Sequence, residues 1–379
     1  MPLRQTINSG LGSLEKLKVI LKNYEVSRIM VVTGKKSFET SGAKIQIIEA
    51  LRDFQVTFYS DFDPNPKLGD VIKGVELINN NATELLICIG GGSVIDMAKL
   101  IKACCLEPDK LDSIARGKIK IKDPNISMIA IPTTAGSGSE STHFAVVYIN
   151  QDKYSVAHDC LFPDEVILDG QLTLSATRYQ KACNVLDAIS QSIESAWAVA
   201  ATKESQELSY KALRLSMHSF QKYVNCNDSI NAAQLMIEAS NLAGQAINIS
   251  KTTAAHAWSY GISMHHNIPH GHAVWFTLPK IFEVHSSNFS LQSNDYRGPK
   301  YLDETMKNLS DILEIPDNTS PTEFFKKLLD SIGVNADLKK DLALSLSQRK
   351  ILSDAVNIER MANNPIALKN KQIKFIFDL

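Results

Sequence analysis

The chain has 379 residues, 44% of them hydrophobic and 21% charged, a composition with core enough for two domains of ordinary size. Its 40 Lys and Arg against 41 Asp and Glu leave a net charge of −1, which argues against a nucleic-acid binder, whose footprint is a basic excess. No apolar run approaches the ~18 residues of a membrane span, the opening MPLRQTINSG lacks the charged-then-apolar layout of a secretory signal, and six scattered cysteines without a CxxC pair read as free thiols of a reducing cytoplasm.

Along the chain, SRIMVVTG predicts a buried strand, KIQIIEALRDF an amphipathic helix, QVTFYS a strand, and DPNPKLG a loop with two prolines. KLGDVIKGVELINNN follows as a helix, ELLICIGGGS as a strand entering a Gly turn, SVIDMAKLIKACCL as a helix and SMIAIPTT as a strand. Repeated βα alternation of this kind predicts a mostly parallel sheet with helices on both faces, an α/β, Rossmann-like domain. Beyond about Thr173 helical periodicity takes over, so residues 1–175 are expected to form the α/β domain and residues 176–379 an all-helical one.

Two loops at strand ends carry anion-binding chemistry. Gly90-Gly91-Gly92-Ser93 follows a strand and opens a helix, where a bare backbone approaches a phosphate and the first N–H groups of the helix bind it. The run is not GxGxxG, so the common dinucleotide fingerprint does not apply. Asp96, one turn in, is either a helix-dipole partner or a ligand contact. In IPTTAGSGSEST, the hydroxyls of Thr133, Thr134, Ser137, Ser139 and Thr142 surround two glycines after the next strand, which suits a cofactor crevice.

A metal site is suggested further on. Asp187, Gln191 and Glu194 stand at i, i+4 and i+7, one helix face. Asp187 sits among Val185, Leu186, Ile189 and Ile193, and a carboxylate on such a face is costly unless paired or metal-bound. His256 and His270 follow, the second within Pro269-His270-Gly271. Mixed oxygen and nitrogen ligation suits Fe²⁺, Zn²⁺, Co²⁺ or Mn²⁺ acting as a Lewis acid on a carbonyl or alkoxide oxygen. Glu194 reads as a packing or outer-shell residue rather than a ligand.

At this point four ordered motifs resemble the iron-containing (group III) alcohol dehydrogenase family over nearly the whole chain: GGGSVIDMAK, IPTTAGSGSE, LDAISQSIES (the family's Asp-Ala-x-x-His-x-x-Glu) and the PHG at His270. The resemblance implies a dehydroquinate synthase-like architecture, NAD(P)H, and a divalent metal, Fe²⁺ first, held by Asp187, Gln191, His256 and His270. Gln191 departs from the family's histidine and supplies a neutral amide oxygen. Tyr260 replaces a histidine that many members place near substrate and nicotinamide, so it either donates a proton or packs. Gly34 stands where many NAD-preferring members carry Asp. With Lys35 and Lys36 after it, this position either admits a 2′-phosphate or carries ordinary surface charge.

Lys251, five residues before His256, departs from the family's small or apolar residue and suggests an anionic substrate group. Thr252, Thr253 and His143 are its expected companions, Lys251 and Tyr260 the expected catalytic pair, and Lys153 a further cofactor contact. STHFAVVY, KYSVAH and ISKTTAAHAWSY resemble the phosphonoacetaldehyde reductase branch, which implies reduction of phosphonoacetaldehyde to 2-hydroxyethylphosphonate in phosphonate biosynthesis. A general short-chain alcohol dehydrogenase and a dinucleotide-binding sensor that has lost its chemistry are the alternatives. The expected partners are a small anionic aldehyde and a second copy of the chain, with neither nucleic acid nor membrane.

Overall fold

A computed structural model of the protein describes residues 5–150, 152–287, 292–355 and 358–379. The chain divides into two compact units. One runs to Ala176 and takes in Ile230–Asn241; the other holds Thr177–Ser229 and Leu242–Leu379.

The first unit is built on a six-stranded sheet in the order β1-β8-β5-β4-β2-β3, with β1 at Thr6–Ser9, β2 at Arg28–Thr33, β3 at Gln55–Tyr59, β4 at Leu85–Gly90, β5 at Ser127–Pro132 and β8 at Glu165–Leu168. Every pairing is parallel. Strands buried on both faces read as continuous apolar runs, and β4 (LLICIG) is buried at every position. Alternation sends Ile29, Val31, Ile87, Ile89, Ile129, Ile131 and Ile167 into one core with Leu14, Leu17 and Ile47. Met30, Val32, Leu86, Cys88, Met128 and Ala130, equally buried, face the other way, and the helix Gly92–Cys104 packs on β4, β2 and β5.

The strand order reverses between β2 and β4: β2 leads outward to β3, β4 leads the other way to β5. Such a reversal opens a crevice at the C-terminal ends of the strands, and those ends carry Gly34 and Gly90–Gly92. Four strands escape the sequence reading. β1 and β8 have four residues each, too short to show periodicity, and close one edge of the sheet by pairing with each other. Phe144–Ile149 (β6) and Asp152–Ala157 (β7) form a separate antiparallel pair.

The second unit is helical among the described residues apart from a single bridge between Ser293 and Ile366. Its longest members, Arg178–Trp197 and Lys203–Asn225, pack on each other, and each begins at a capping box, Thr177 with Gln180 and Thr202 with Ser205. Ile230–Asn241, expected in the helical domain, is the first half of the helix Ile230–Ser250 and groups with the sheet unit. All six cysteines are free thiols, only Cys226 being exposed, and no described helix is long and apolar enough to cross a membrane.

Candidate active site

In the sheet unit the two loops expected to hold a dinucleotide lie against each other. Thr133 N–H donates to Gly90 O at 3.0 Å, tying the end of β5 to the Gly turn. The N–H groups of Val94 and Ile95 both reach Gly91 O, at 2.9 and 3.2 Å, which leaves Gly92 and Ser93 heading the helix. A Cβ at Gly91 would stand 3.2 Å from Thr134 Cγ2, and one at Gly92 would stand 2.8 Å from Ser137 Oγ. The glycines therefore hold open a bare-backbone cradle at a helix start, flanked by Thr134 and Ser137, and its donors fit a pyrophosphate. Gly34 borders it: a Cβ there would lie 3.6 Å from Val94 Cγ2. Lys35 is engaged by Asp61 at 3.3 Å and Asp63 at 4.0 Å, while Lys36 is exposed, so the positive charge beside Gly34 is partly neutralised. Ser93 Oγ accepts from Asn65 N–H at 3.1 Å, and Thr133 is buried with its hydroxyl unpartnered.

Three of the expected cofactor contacts, Asp96, Ser139 and Thr142, join a network within the unit. Asp96 accepts from Ser139 Oγ at 2.6 Å and from Val146 N–H at 3.1 Å, and Thr142 Oγ1 accepts from Lys99 Nζ at 2.9 Å. These groups fold a knot around Lys99, a fully buried lysine that also donates to Ser139 O at 2.5 Å, Thr142 O at 2.6 Å and Phe144 O at 3.1 Å. Burial pushes the Lys99 amine down to about 8 against the pull of Asp96. Asp96, Ser139 and Thr142 thus bond one another and Lys99, and shape the loop. Lys153, on β7, is near enough to Asp96 to favour its ionised form. His143, half-buried, sets its ring edge-on to Phe144 at 5.7 Å. Lys99→Met is expected to lower stability by about 3 kcal/mol, since three carbonyls, two of them buried, lose a charged donor; an unchanged urea midpoint would remove Lys99 from the knot.

In the helical unit, one ligand atom from each of Asp187, His256 and His270 lies within 4.8 Å of the others. Asp187 and His256 are 8% and 3% exposed, and neither Asp187 Oδ1 nor His256 Nε2 has a hydrogen-bond partner. The two atoms face each other at 3.6 Å, too long for a hydrogen bond and within the span of two donors each about 2 Å from one cation. Burial raises the Asp187 carboxyl, but the facing His256 imidazole and the His270 imidazole outweigh it and hold the group below its usual range. Burial works to lower His256, and Glu194 with Asp187 overcomes it, lifting the ring to about 9. The carboxylates therefore call for positive charge between Asp187 and His256, and a divalent ion fits that demand. Gln191, buried one turn after Asp187, hydrogen-bonds to it.

His270 is half-buried. Ser259 Oγ donates to His256 O at 2.8 Å and so stands as acceptor to His270 Nδ1 at 3.3 Å, so that Nε2 would be the atom to serve a metal. Tyr260 stacks on the His270 ring, centroids 5.6 Å apart and planes 12° apart. The sequence reading passed over Gly271. A Cβ there would sit 2.1 Å from Cys183 O and 2.9 Å from Asp187 N, so only glycine lets His270 approach the Arg178–Trp197 helix at Asp187.

Lys251 occupies the turn between Ile230–Ser250 and Ala254–His266 with φ 60° and ψ −177°, a region that is nearly glycine-only. Asn363 Nδ2 pins the turn from both sides, donating to Ser250 O at 2.8 Å and Thr252 O at 3.0 Å. The lysine is exposed and Thr252 is buried. Thr253 does not serve an anion as expected: fully buried, it donates to Glu194 Oε1 at 2.6 Å and accepts from Trp197 Nε1 at 2.9 Å.

Residues 4–170 match the family model for iron-containing alcohol dehydrogenase, and residues 181–378 match that for the C-terminal part of the Fe-containing alcohol dehydrogenase family. Long-chain-alcohol dehydrogenase 1 of Geobacillus thermodenitrificans is 28% identical over 375 residues, 97% of this chain and 93% of that protein. Phosphonoacetaldehyde reductase of Streptomyces viridochromogenes is 26% identical over 298 residues, 76% of this chain and 74% of that one. The solved structure of sulfoacetaldehyde reductase from Bifidobacterium kashiwanohense in complex with NAD⁺ superposes with a TM-score of 0.86 at 27% identity, covering 99% of this chain and 96% of that one.

Proposed function

The chain belongs to the iron-containing alcohol dehydrogenase family, and on that premise we propose that it reduces a short-chain aldehyde bearing an anionic group, phosphonoacetaldehyde first, with NAD(P)H. Residues 1–175 are assigned to the dinucleotide and residues 176–379 to metal and substrate. Gly34, Gly90–Gly92, Ser93, Thr133, Thr134 and Ser137 would hold the cofactor, with Lys153 beside Asp96; Asp187, His256 and His270 would hold the metal, with Gln191 as fourth ligand. When bound, the ion supplies a Lewis acid for the carbonyl oxygen and the dinucleotide supplies hydride. Tyr260, flat on His270, is the candidate to deliver the proton to the product oxygen. The six free thiols support a cytoplasmic location, and a homodimer is the assembly the family membership suggests.

The observation that carries the substrate class is Lys251, a cation held in a backbone conformation few lysines adopt, five residues before a proposed metal ligand. His143 and Thr252 are its proposed companions. Two relatives are named for aldehydes with an anionic tetrahedral group, phosphono in one and sulfo in the other. The relative named for long-chain alcohols favours a second reading, a general alcohol dehydrogenase.

Metal-reconstituted protein is assayed by cofactor oxidation on phosphonoacetaldehyde and on propionaldehyde. A charged contact contributes about 1.5–3 kcal/mol, so Lys251→Ala is expected to lower kcat/KM on the phosphonate about tenfold or more and leave propionaldehyde unchanged. Equal rates on both aldehydes, indifferent to the substitution, would leave the general alcohol dehydrogenase.

A further inference from the structure

The geometry points to Glu194 as the residue that positions His256 for the metal, with Thr253 and Trp197 aiming Glu194 in turn. The inference rests on the reading that Asp187, His256 and His270 hold a divalent ion.

Glu194 lies two turns beyond Asp187 on the same helix, and its side chain is fully buried. A buried carboxylate is tolerated only when its oxygens are fully served. Oε1 accepts from Thr253 Oγ1 at 2.6 Å, from Ala255 N–H at 2.8 Å and from His256 N–H at 3.4 Å, while Oε2 meets His256 Nδ1. A carboxylate can only accept there, so in the neutral form that ligates a cation the imidazole proton resides on Nδ1. Nε2 is then the lone-pair nitrogen, and it is the atom turned toward Asp187 Oδ1. A carboxylate behind a ligating histidine fixes its tautomer and strengthens it as a donor.

The support extends one residue further on each side. Trp197 Nε1–H donates to Thr253 Oγ1, which directs the Thr253 hydrogen onto Glu194. The chain of donors is Trp197 to Thr253 to Glu194, met from the other side by His256, and bonds in such a chain polarise one another. Glu194 also brings a second negative charge behind the site. With Asp187 it matches the charge of a divalent ion, to which the amide of Gln191 adds nothing.

A plain structural role competes with this one. Thr253, the residue before the helix Ala254–His266, makes no cap bond of its own, and Glu194 caps that helix from a distance through Ala255 and His256. A cap alone would change the stability of the metal-free protein and leave metal affinity untouched.

The test uses full-length protein stripped of metal and titrated with Co²⁺ against a competing chelator, followed by the visible Co²⁺ absorption. Glu194→Gln is expected to bind Co²⁺ about 10–100-fold more weakly and to shift the absorption bands, because His256 changes its donor strength. Thr253→Val is expected to lose about tenfold and Thr253→Ser to recover it; these carry the test if Glu194→Gln does not fold. Affinities within twofold of wild type in Glu194→Gln and Thr253→Val, with a lowered Tm of the metal-free protein, would reduce Glu194 to a cap and overturn the inference. Wild-type protein that takes up no Co²⁺ would overturn the metal reading and this inference with it.

Discussion

Gly271→Ala is expected to abolish metal binding and to destabilise the protein by about 3 kcal/mol, the upper range for forcing one extra carbon into a packed interior. The added Cβ would stand 2.1 Å from Cys183 O, 2.7 Å from Asp187 Cβ and 2.9 Å from Asp187 N. All three atoms belong to the frame of the Arg178–Trp197 helix or to its first side-chain carbon. No rotamer change removes the overlap, so the segment Pro269–Val274 must withdraw, and withdrawal separates His270 from Asp187. Gly261→Ala is the control: its Cβ would meet only the tip of Leu352, at 3.3 Å, inside the helix Ala254–His266. Alanine in a helix interior gains about 1 kcal/mol over glycine, so that variant should be neutral or slightly more stable. Urea denaturation and bound-metal stoichiometry check both, and a Gly271→Ala protein with wild-type values in each would deny the close approach.

Asp187→Asn is expected to weaken metal binding more than a hundredfold. The substitution keeps the shape but removes the one charge among the proposed direct ligands, and losing one partner of a buried ionic contact costs about 3–5 kcal/mol. The change also appears as stability. At free metal about 100 times the wild-type Kd, binding adds about 2.7 kcal/mol to the wild type; at the same concentration a site a hundredfold weaker gains about 0.4 kcal/mol. Thermal unfolding with and without added Zn²⁺ measures this difference. A metal-dependent rise in Tm equal to that of the wild type would take Asp187 out of the ligand set.

What could be read in advance follows the range of the interactions. β2, β4 and β5 announce themselves because each is a mostly apolar run closed by a glycine or a proline, and β3 by its β-branched and aromatic residues, a signal contained in six or so residues. Asp187 was legible for a similar reason, since a carboxylate amid Val185, Leu186, Ile189 and Ile193 contradicts its surroundings locally. The Lys99 knot was not, because its acceptors lie some forty residues downstream and a lone lysine in an amphipathic helix looks like surface. Thr253 misled by the same route: its hydroxyl reads as a free donor until the fold brings Glu194 and Trp197 to it across more than fifty residues. β1 exists as a strand only through β8, and β8 only through β1 and β5. Gly271 carried a local signal, its place in Pro-His-Gly, but the reason for it lies in the neighbouring helix.

If Lys251 takes the proposed role at an anionic substrate, its turn sets fold stability and specificity against each other. Glycine would hold that backbone conformation at ease, whereas a lysine there carries a deficit of about 1–3 kcal/mol, which Asn363 contains by bonding the carbonyls on either side. Most mutations destabilise and relief is easily found, so a lineage released from its need for the cation would drift toward glycine at 251, gaining thermal tolerance as it lost discrimination. Asn363 would keep a second task there, since its Oδ1 also accepts from Ala200 N–H at 3.0 Å.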